Sequence, residues 1–250
     1  MMSSSPSMAS LDDVVARAQK QRHDSGITPL CPPCVIFING FPGVGKTAIA
    51  KALQARLCDQ AVRYFPHHLL DDPVEAISTD RARETRDFRR QLRVLAFDAL
   101  VAQPDPELVI IMTACIASNA ADVAIFHDYV SIARQRDVPF YAFNLECDLF
   151  VHIHRLQSNP RMSSKRKRIT DPAILRNIIA QSSLIKHGDY QGNNVARLSV
   201  IRSTYMQAED TASEMLRQIG EATVRRAEKE KLLERQSVEQ RSITSEERSI

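Results

Sequence analysis

The chain is short of several things, and each shortage narrows what it can be. No apolar stretch in its 250 residues approaches the ~20 needed to span a bilayer, so no membrane-spanning helix is expected. The first residues lack the basic-then-apolar layout of a secretory signal. They are rich in serine, as organellar transit peptides are, but Asp12 and Asp13 argue against import. The net charge is only +3, too small to imply nucleic acid as a partner. Cysteines are few and odd in number, five, which speaks against a disulfide framework and for free thiols in a reducing, cytoplasmic setting. Cys31-Pro-Pro-Cys34 has C-x-x-C spacing, yet no second such pair or nearby histidine pair completes a zinc site. Cys34 instead suits the start of a buried strand.

What is present is concentrated in residues 35–57. The apolar run Val35-Ile36-Phe37-Ile38 leads through Asn39 into Gly40-Phe41-Pro42-Gly43-Val44-Gly45-Lys46-Thr47. Ile49, Leu53 and Leu57 then follow four apart. This reads as strand, glycine-rich turn and helix, and the turn satisfies G-x-x-x-x-G-K-[ST] at every fixed position. Glycines there let the backbone take positive φ and approach an anion that a Cβ would obstruct. Amides of about residues 43–47 then form an anion nest at a helix N-terminus. The expected nucleotide-binding set is Gly40, Gly43, Val44, Gly45, Lys46, Thr47 and Ala48. Lys46 would reach the β- and γ-phosphates of ATP, and the Thr47 hydroxyl would ligate Mg²⁺.

Further along, Ala61–Phe65 reads as a strand. It is followed by a cluster of prolines, histidines and carboxylates, Pro66 to Pro73, at the sheet edge where ligands bind. Residues 80–102 have helical spacing (Phe88, Leu92, Leu95, Ala99) and many arginines, among them Arg81, Arg83, Arg86, Arg89, Arg90 and Arg93. These arginines read either as a solvated face balanced by Glu84 and Asp87 or as holders of an anionic substrate. Apolar strands are expected at 108–113 and 140–145, with helices at 119–136 and 148–157. A polar, basic stretch from Gln157 to Arg168 follows. Its Lys165–Arg168 run suits a solvated lid, with nuclear import or nucleic-acid contact as sharper alternatives. Asp171-Pro172 caps a helix expected to reach about 186. A fifth strand at 196–201 and a helix at 207–235 follow, with fraying beyond about 236. Strands alternating with helices predict an α/β protein, a five-stranded parallel sheet with helices on both faces in three layers. The expected organisation is a mobile tail (1–30), a nucleotide-binding domain (31–220, lid about 156–170) and a charged C-terminal helix or tail (221–250).

With those residues in view, the sequence resembles the small-molecule kinase branch of phosphate-loop proteins. That branch comprises the gluconate-, shikimate- and nucleoside-kinase-like families and the AAA-domain ATP-binding families grouped with them. The resemblance covers most of residues 34–217. It rests on Ile38–Thr47, on His68-Leu-Leu-Asp-Asp-Pro73, and on Arg155 and Arg161 ahead of Ile169-Thr-Asp-Pro172. It implies a Mg²⁺-dependent kinase that passes the γ-phosphoryl of ATP to a small hydroxylated metabolite. Lys46, Asp71, Asp72, Arg155 and Arg161 would be catalytic: the carboxylates at the acceptor or metal, the arginines in a lid over the phosphates. Asp71 and Asp72 equally suit a turn and helix cap ahead of Pro73. His68, Arg89 and Arg90 are candidates for the acceptor pocket. No carboxylate ends the strand Ile111-Met112-Thr113, which speaks against a motor ATPase, and no N-K-x-D motif points to guanine. Two other readings stand beside the kinase. One is a nucleotide-binding module acting through partners, and the other is a toxin-like or nucleic-acid-end kinase using the basic lid.

Overall fold

The computed structural model describes residues 31–77, 83–158, 171–190 and 195–247. The expectations for the N-terminal tail, for Arg81, and for Arg161 and Lys165–Arg168 of the lid fall outside the described residues. Five strands form one sheet: β1 (Cys34–Asn39), β2 (Val62–Pro66), β3 (Val109–Ala114), β4 (Phe140–Glu146) and β5 (Val195–Arg202). Their order is β2-β3-β1-β4-β5, and every pairing is parallel. All residues of β1 and β3 are buried, as expected of near-continuous apolar strands covered on both faces.

Seven α-helices accompany the sheet among the described residues: α1 (Lys46–Arg56), α2 (His68–Ile77), α3 (Arg83–Val101), α4 (Ala120–Gln135), α5 (Leu149–Gln157), α6 (Pro172–Gln181) and α7 (Ala208–Glu247). Successive side chains of a strand alternate between faces, and the core divides accordingly. Ile36, Ile38, Tyr141 and Phe143 meet Ile49 and Leu53 of α1 and Ala212, Met215 and Ile219 of α7. Val35, Phe37, Met112 and Phe140 meet Phe97 and Leu100 of α3 and Phe126, Tyr129 and Ile132 of α4. Aromatic rings knit this second face, with the Tyr129 centroid 4.8 Å from both Phe37 and Phe97. The buried Arg93 joins α3 to α4 through Asp128, Nη2 to Oδ2 at 2.7 Å. Arg136 donates to the carbonyls of Leu100, Val101, Gln103 and Asp105, closing the C-terminal end of α3.

Three elements differ from their sequence-based expectation. Residues 68–77 of the proline- and histidine-rich cluster are helical, with Pro73 inside α2. Pro73 is the sixth residue of this helix and cannot give the Leu69 carbonyl its intrahelical bond, and the helix holds through burial of Leu70 and Val74. Helix α6 stops at Gln181 instead of about 186, because Ser182 turns extended and Ser183 accepts from the Ser118 amide at 2.7 Å. Helix α7 continues to Glu247, past the point where its apolar face ends. No helix among the described residues is long and apolar enough to cross a membrane.

Strand order places the connections of β1 and β3 on opposite sides of the sheet, so a crevice opens at their carboxyl ends. The glycine-rich turn sits there, between β1 and α1.

Candidate functional site

The turn has the backbone its glycines permit. Gly43 and Gly45 stand at φ 87° and 110°, values that L side chains rarely adopt. Gly43 has a second reason to lack a side chain: a Cβ there would lie 2.7 Å from Leu156 Cδ1 and 3.3 Å from Leu156 Cα. Gly40 ends buried against Val44 and Leu145. The Val44 amide donates to the Phe41 carbonyl at 3.3 Å, while the amides of Ala48 and Ile49 turn back to the Gly45 carbonyl. Among the described residues, no protein acceptor takes the amides of Gly43, Gly45, Lys46 or Thr47. Four unpaired donors thus stand together at the start of an 11-residue helix, whose dipole adds positive potential.

Lys46 shares this surface. Its ammonium donates to the carbonyls of Gly40 and of Phe41, the latter at 3.1 Å, and no carboxylate pairs with it among the described residues. Burial pushes its pKa down, with the neighbouring Cys115 opposing. Burial in turn pushes the Cys115 thiol up, and Lys46 draws it partly back. The result is a cation held among dipoles with no counter-ion among the described residues. These residues therefore fit a polyphosphate: the unpaired amides and the lone ammonium are the donors it needs. For Mg²⁺ the protein offers less. No cluster of three His, Cys, Asp or Glu suited to a metal occurs among the described residues. The ion would be held by Thr47, in the first turn of α1, and by the nucleotide itself.

The loop is braced from below. His152 of α5, buried, donates from Nε2 to the Pro42 carbonyl at 2.8 Å. Burial lowers its pKa, with Lys46 and Arg155 adding to the effect against the Pro42 bond. Arg155, one turn later, donates from Nη2 to the Ser203 carbonyl at 2.7 Å and reaches the carbonyls of Thr204 and Met206. From Nη1 it reaches Ser203 Oγ at 3.1 Å and the Val44 carbonyl at 3.4 Å. The sequence reading put Arg155 in a lid. In the structure its guanidinium fastens the phosphate loop to the turn between β5 and α7.

A second cluster stands at the end of β2. His67 Nε2 lies 2.9 Å from Asp71 Oδ2, and Arg89 Nε lies 3.3 Å from Asp71 Oδ1. The His67 amide donates to Thr113 Oγ1 at 3.3 Å, and its Nδ1 lies 3.4 Å from the Tyr129 hydroxyl. Desolvation raises the Asp71 pKa, but the bond and charge of His67, with Arg89 and His68, outweigh it and hold the carboxyl below its usual value. Asp72 and His68 lie half-buried on α2, and Arg90 is exposed on α3. The structure thus sets Arg89 directly on Asp71, adds His67, which sequence reasoning had not singled out, on the other carboxylate oxygen, and leaves Arg90 on the outer surface. At ~4.8 Å per strand, the ends of β2 and β1 lie about 10 Å apart.

Sequence reasoning also missed the polar lattice between strand ends. Asn39, fully buried, donates from Nδ2 to the Ile116 carbonyl and to Asn144 Oδ1, each at 2.9 Å, and accepts from the Ile116 amide at 2.7 Å. Asn144 donates onward to the Ile185 carbonyl at 2.6 Å. The signal was there: each is a lone amide in an otherwise apolar strand, and a buried polar group needs a partner.

Comparison with known proteins agrees with this geometry. The AAA domain family model matches residues 36–176, and no curated protein matches the sequence. Among solved structures, Chaetomium thermophilum Kti12 in complex with ADP-AlF₃ aligns over 75% of this chain and 98% of its own, with TM-score 0.50 at 13% identity. A candidate kinase from Chloroflexus aurantiacus aligns over 77% of this chain and 98% of its own, with TM-score 0.50 at 13% identity. These likenesses establish the three-layer phosphate-loop fold.

Proposed function

This chain belongs to the AAA-domain family, and from that premise we propose that it is an ATP-dependent phosphotransferase acting on a small hydroxylated metabolite. The observation that carries this reading is the surface at the start of α1. Among the described residues, four amides without protein acceptors stand with an ammonium that no carboxylate pairs, and such a constellation favours a β,γ-phosphate.

Phosphoryl transfer asks the protein for positioning and charge stabilisation more than covalent chemistry. Gly43 to Thr47 hold the phosphate chain through their amides, and Lys46 turns from its two carbonyls to the terminal phosphates. Thr47 would hold Mg²⁺ together with the nucleotide, and the ion would supply neutralisation of phosphate charge. Asp71, oriented by His67 and Arg89, lies on the acceptor side, where a carboxylate can accept the proton of an attacking hydroxyl. Asp72, His68 and Arg161 are further candidates for acceptor and lid contacts. Arg155 and His152 keep the loop in register.

The test is ATP consumption by the purified full chain against a library of hydroxylated metabolites. An acceptor should raise turnover, and Lys46→Ala should reduce the stimulated rate by about 10²-fold or more. One further reading has an observation in its favour. Strand β3 ends in Thr113 and Ala114 with no carboxylate, and Arg155 is engaged by backbone carbonyls. Both suit a nucleotide-binding module that signals to partners, for which ATP would bind and no acceptor would raise turnover.

A further inference from the structure

Strand β5 forms one edge of the sheet and pairs, among the described residues, with β4 alone. A cleft of about 800 Å³ runs around the amino half of this edge, lined by the consecutive residues Val195 to Ser199. Its walls come from both faces of the sheet. Arg134 and Asp137 stand at the end of α4, while Arg225, Arg226, Lys229 and Glu230 project from α7, and Arg197 lies on β5 between them. Five basic side chains thus face two acidic ones among the described residues. Among the described residues, Arg225 and Arg226 are engaged in exposed pairs along α7, with Glu221 at 3.5 Å and Glu230 at 2.9 Å. Such pairs are weak and exchange readily. The Arg197 Nε is buried with no hydrogen-bond partner among the described residues, and a buried donor needs an acceptor.

We propose that this edge is a docking site for an extended acidic segment of a partner protein, which adds to β5 as a sixth strand. An edge strand offers unpaired backbone groups that bind another strand. An added strand sends successive side chains to opposite faces, so neighbouring acidic residues would meet Arg134 on one side and Arg225 and Lys229 on the other. The five β5 residues in the cleft span about 16 Å at ~3.3 Å each, enough for a short peptide. Nucleic acid is the poorer fit, because no Phe, Tyr or Trp among the described residues lines the cleft on which bases could stack. The site lies away from the phosphate loop and does not depend on the kinase reading.

The test is fluorescence anisotropy with the full chain and a labelled octapeptide of alternating Glu-Glu and Val-Val pairs. Saturable micromolar binding is expected. Arg134→Glu, and separately the pair Arg225→Glu and Lys229→Glu, should each weaken it about tenfold or more. Arg225 and Arg134 lie on the surface, so melting temperatures should match the parent. The same peptide with proline at every second position should not bind the unaltered protein, since it lacks the amides that a ladder needs. This comparison stands even if a charge-reversed variant unfolds. The proposal is overturned if the octapeptide fails to bind at millimolar concentration or the proline peptide binds as well. It is equally overturned if an oligonucleotide or polyphosphate of equal charge binds as tightly, or if sedimentation finds the edge closed by a second copy of this chain.

Discussion

Asn39 and Asn144 are joined by a 2.9 Å carboxamide bond that ties the residue before the phosphate loop to the neighbouring strand. Both side chains are buried, so this bond and its extensions to Ile116 and Ile185 fix where β1 ends and the loop begins.

Asn39→Ala should therefore cost more than a surface substitution. It strands the Ile116 amide and the Asn144 carboxamide, at about 1–3 kcal/mol for each unsatisfied buried group. A urea titration should show a lower midpoint with the slope kept. Asn39→Asp should fare no better, because a buried carboxylate cannot donate to the Ile116 carbonyl.

Arg155→Ala should lower stability by about 2–3 kcal/mol, since charge-assisted bonds to four carbonyls and a hydroxyl are lost together. Arg155→Lys should recover only part, because an ammonium cannot span the same fork. Thermal melts decide the matter. A residue acting only over the phosphates would leave the melting temperature unchanged and lower turnover alone.

Gly43→Ala and Gly45→Ala should separate sterics from backbone strain. Both ask an L residue to hold positive φ, at about 1–3 kcal/mol. Only Gly43→Ala also drives a methyl into Leu156, whereas nothing lies within 4 Å of the Gly45 Cβ position. Gly43→Ala should be the less stable variant in denaturant melts, and both should weaken nucleotide binding.

Asp71 gives a pH signature. Its carboxyl is held below the ordinary value, with His67 and Arg89 outweighing desolvation. A carboxylate depressed in the folded state adds stability above its unfolded pKa of ~3.9 and loses it as pH falls through the folded value. The stability gap between the parent and Asp71→Asn should thus be present above the unfolded value and close as pH falls through the lower folded one. Chemical denaturation across that range measures it.

Much of the fold was legible because its signals are local. Apolar runs gave the strands, Asp171-Pro172 gave the start of α6, and the glycine spacing gave the loop. The arrangement of the site was less so, because it depends on residues far apart in sequence. His152 meets Pro42 across 110 positions and Arg155 meets Ser203 across 48, and no periodicity encodes such contacts. Prolines and paired histidines at 66–73 read as a cluster at the sheet edge, with a turn and cap ahead of Pro73, yet burial of Leu70 and Val74 on one side of α2 makes the helix begin at His68. Arginines in a row on α3 look alike in sequence. Packing alone separates Arg93, buried on Asp128, and Arg89, set on Asp71, from the exposed Arg90.

The most direct measurement is calorimetric titration of MgATP into the full chain, beside Lys46→Ala. A lone ammonium among unpaired amides should bind with a dissociation constant between about 1 µM and 1 mM, and the variant should bind at least about tenfold more weakly. Absence of heat with any common nucleoside triphosphate at millimolar concentration, or equal affinity in the variant, would contradict a phosphate site at the start of α1.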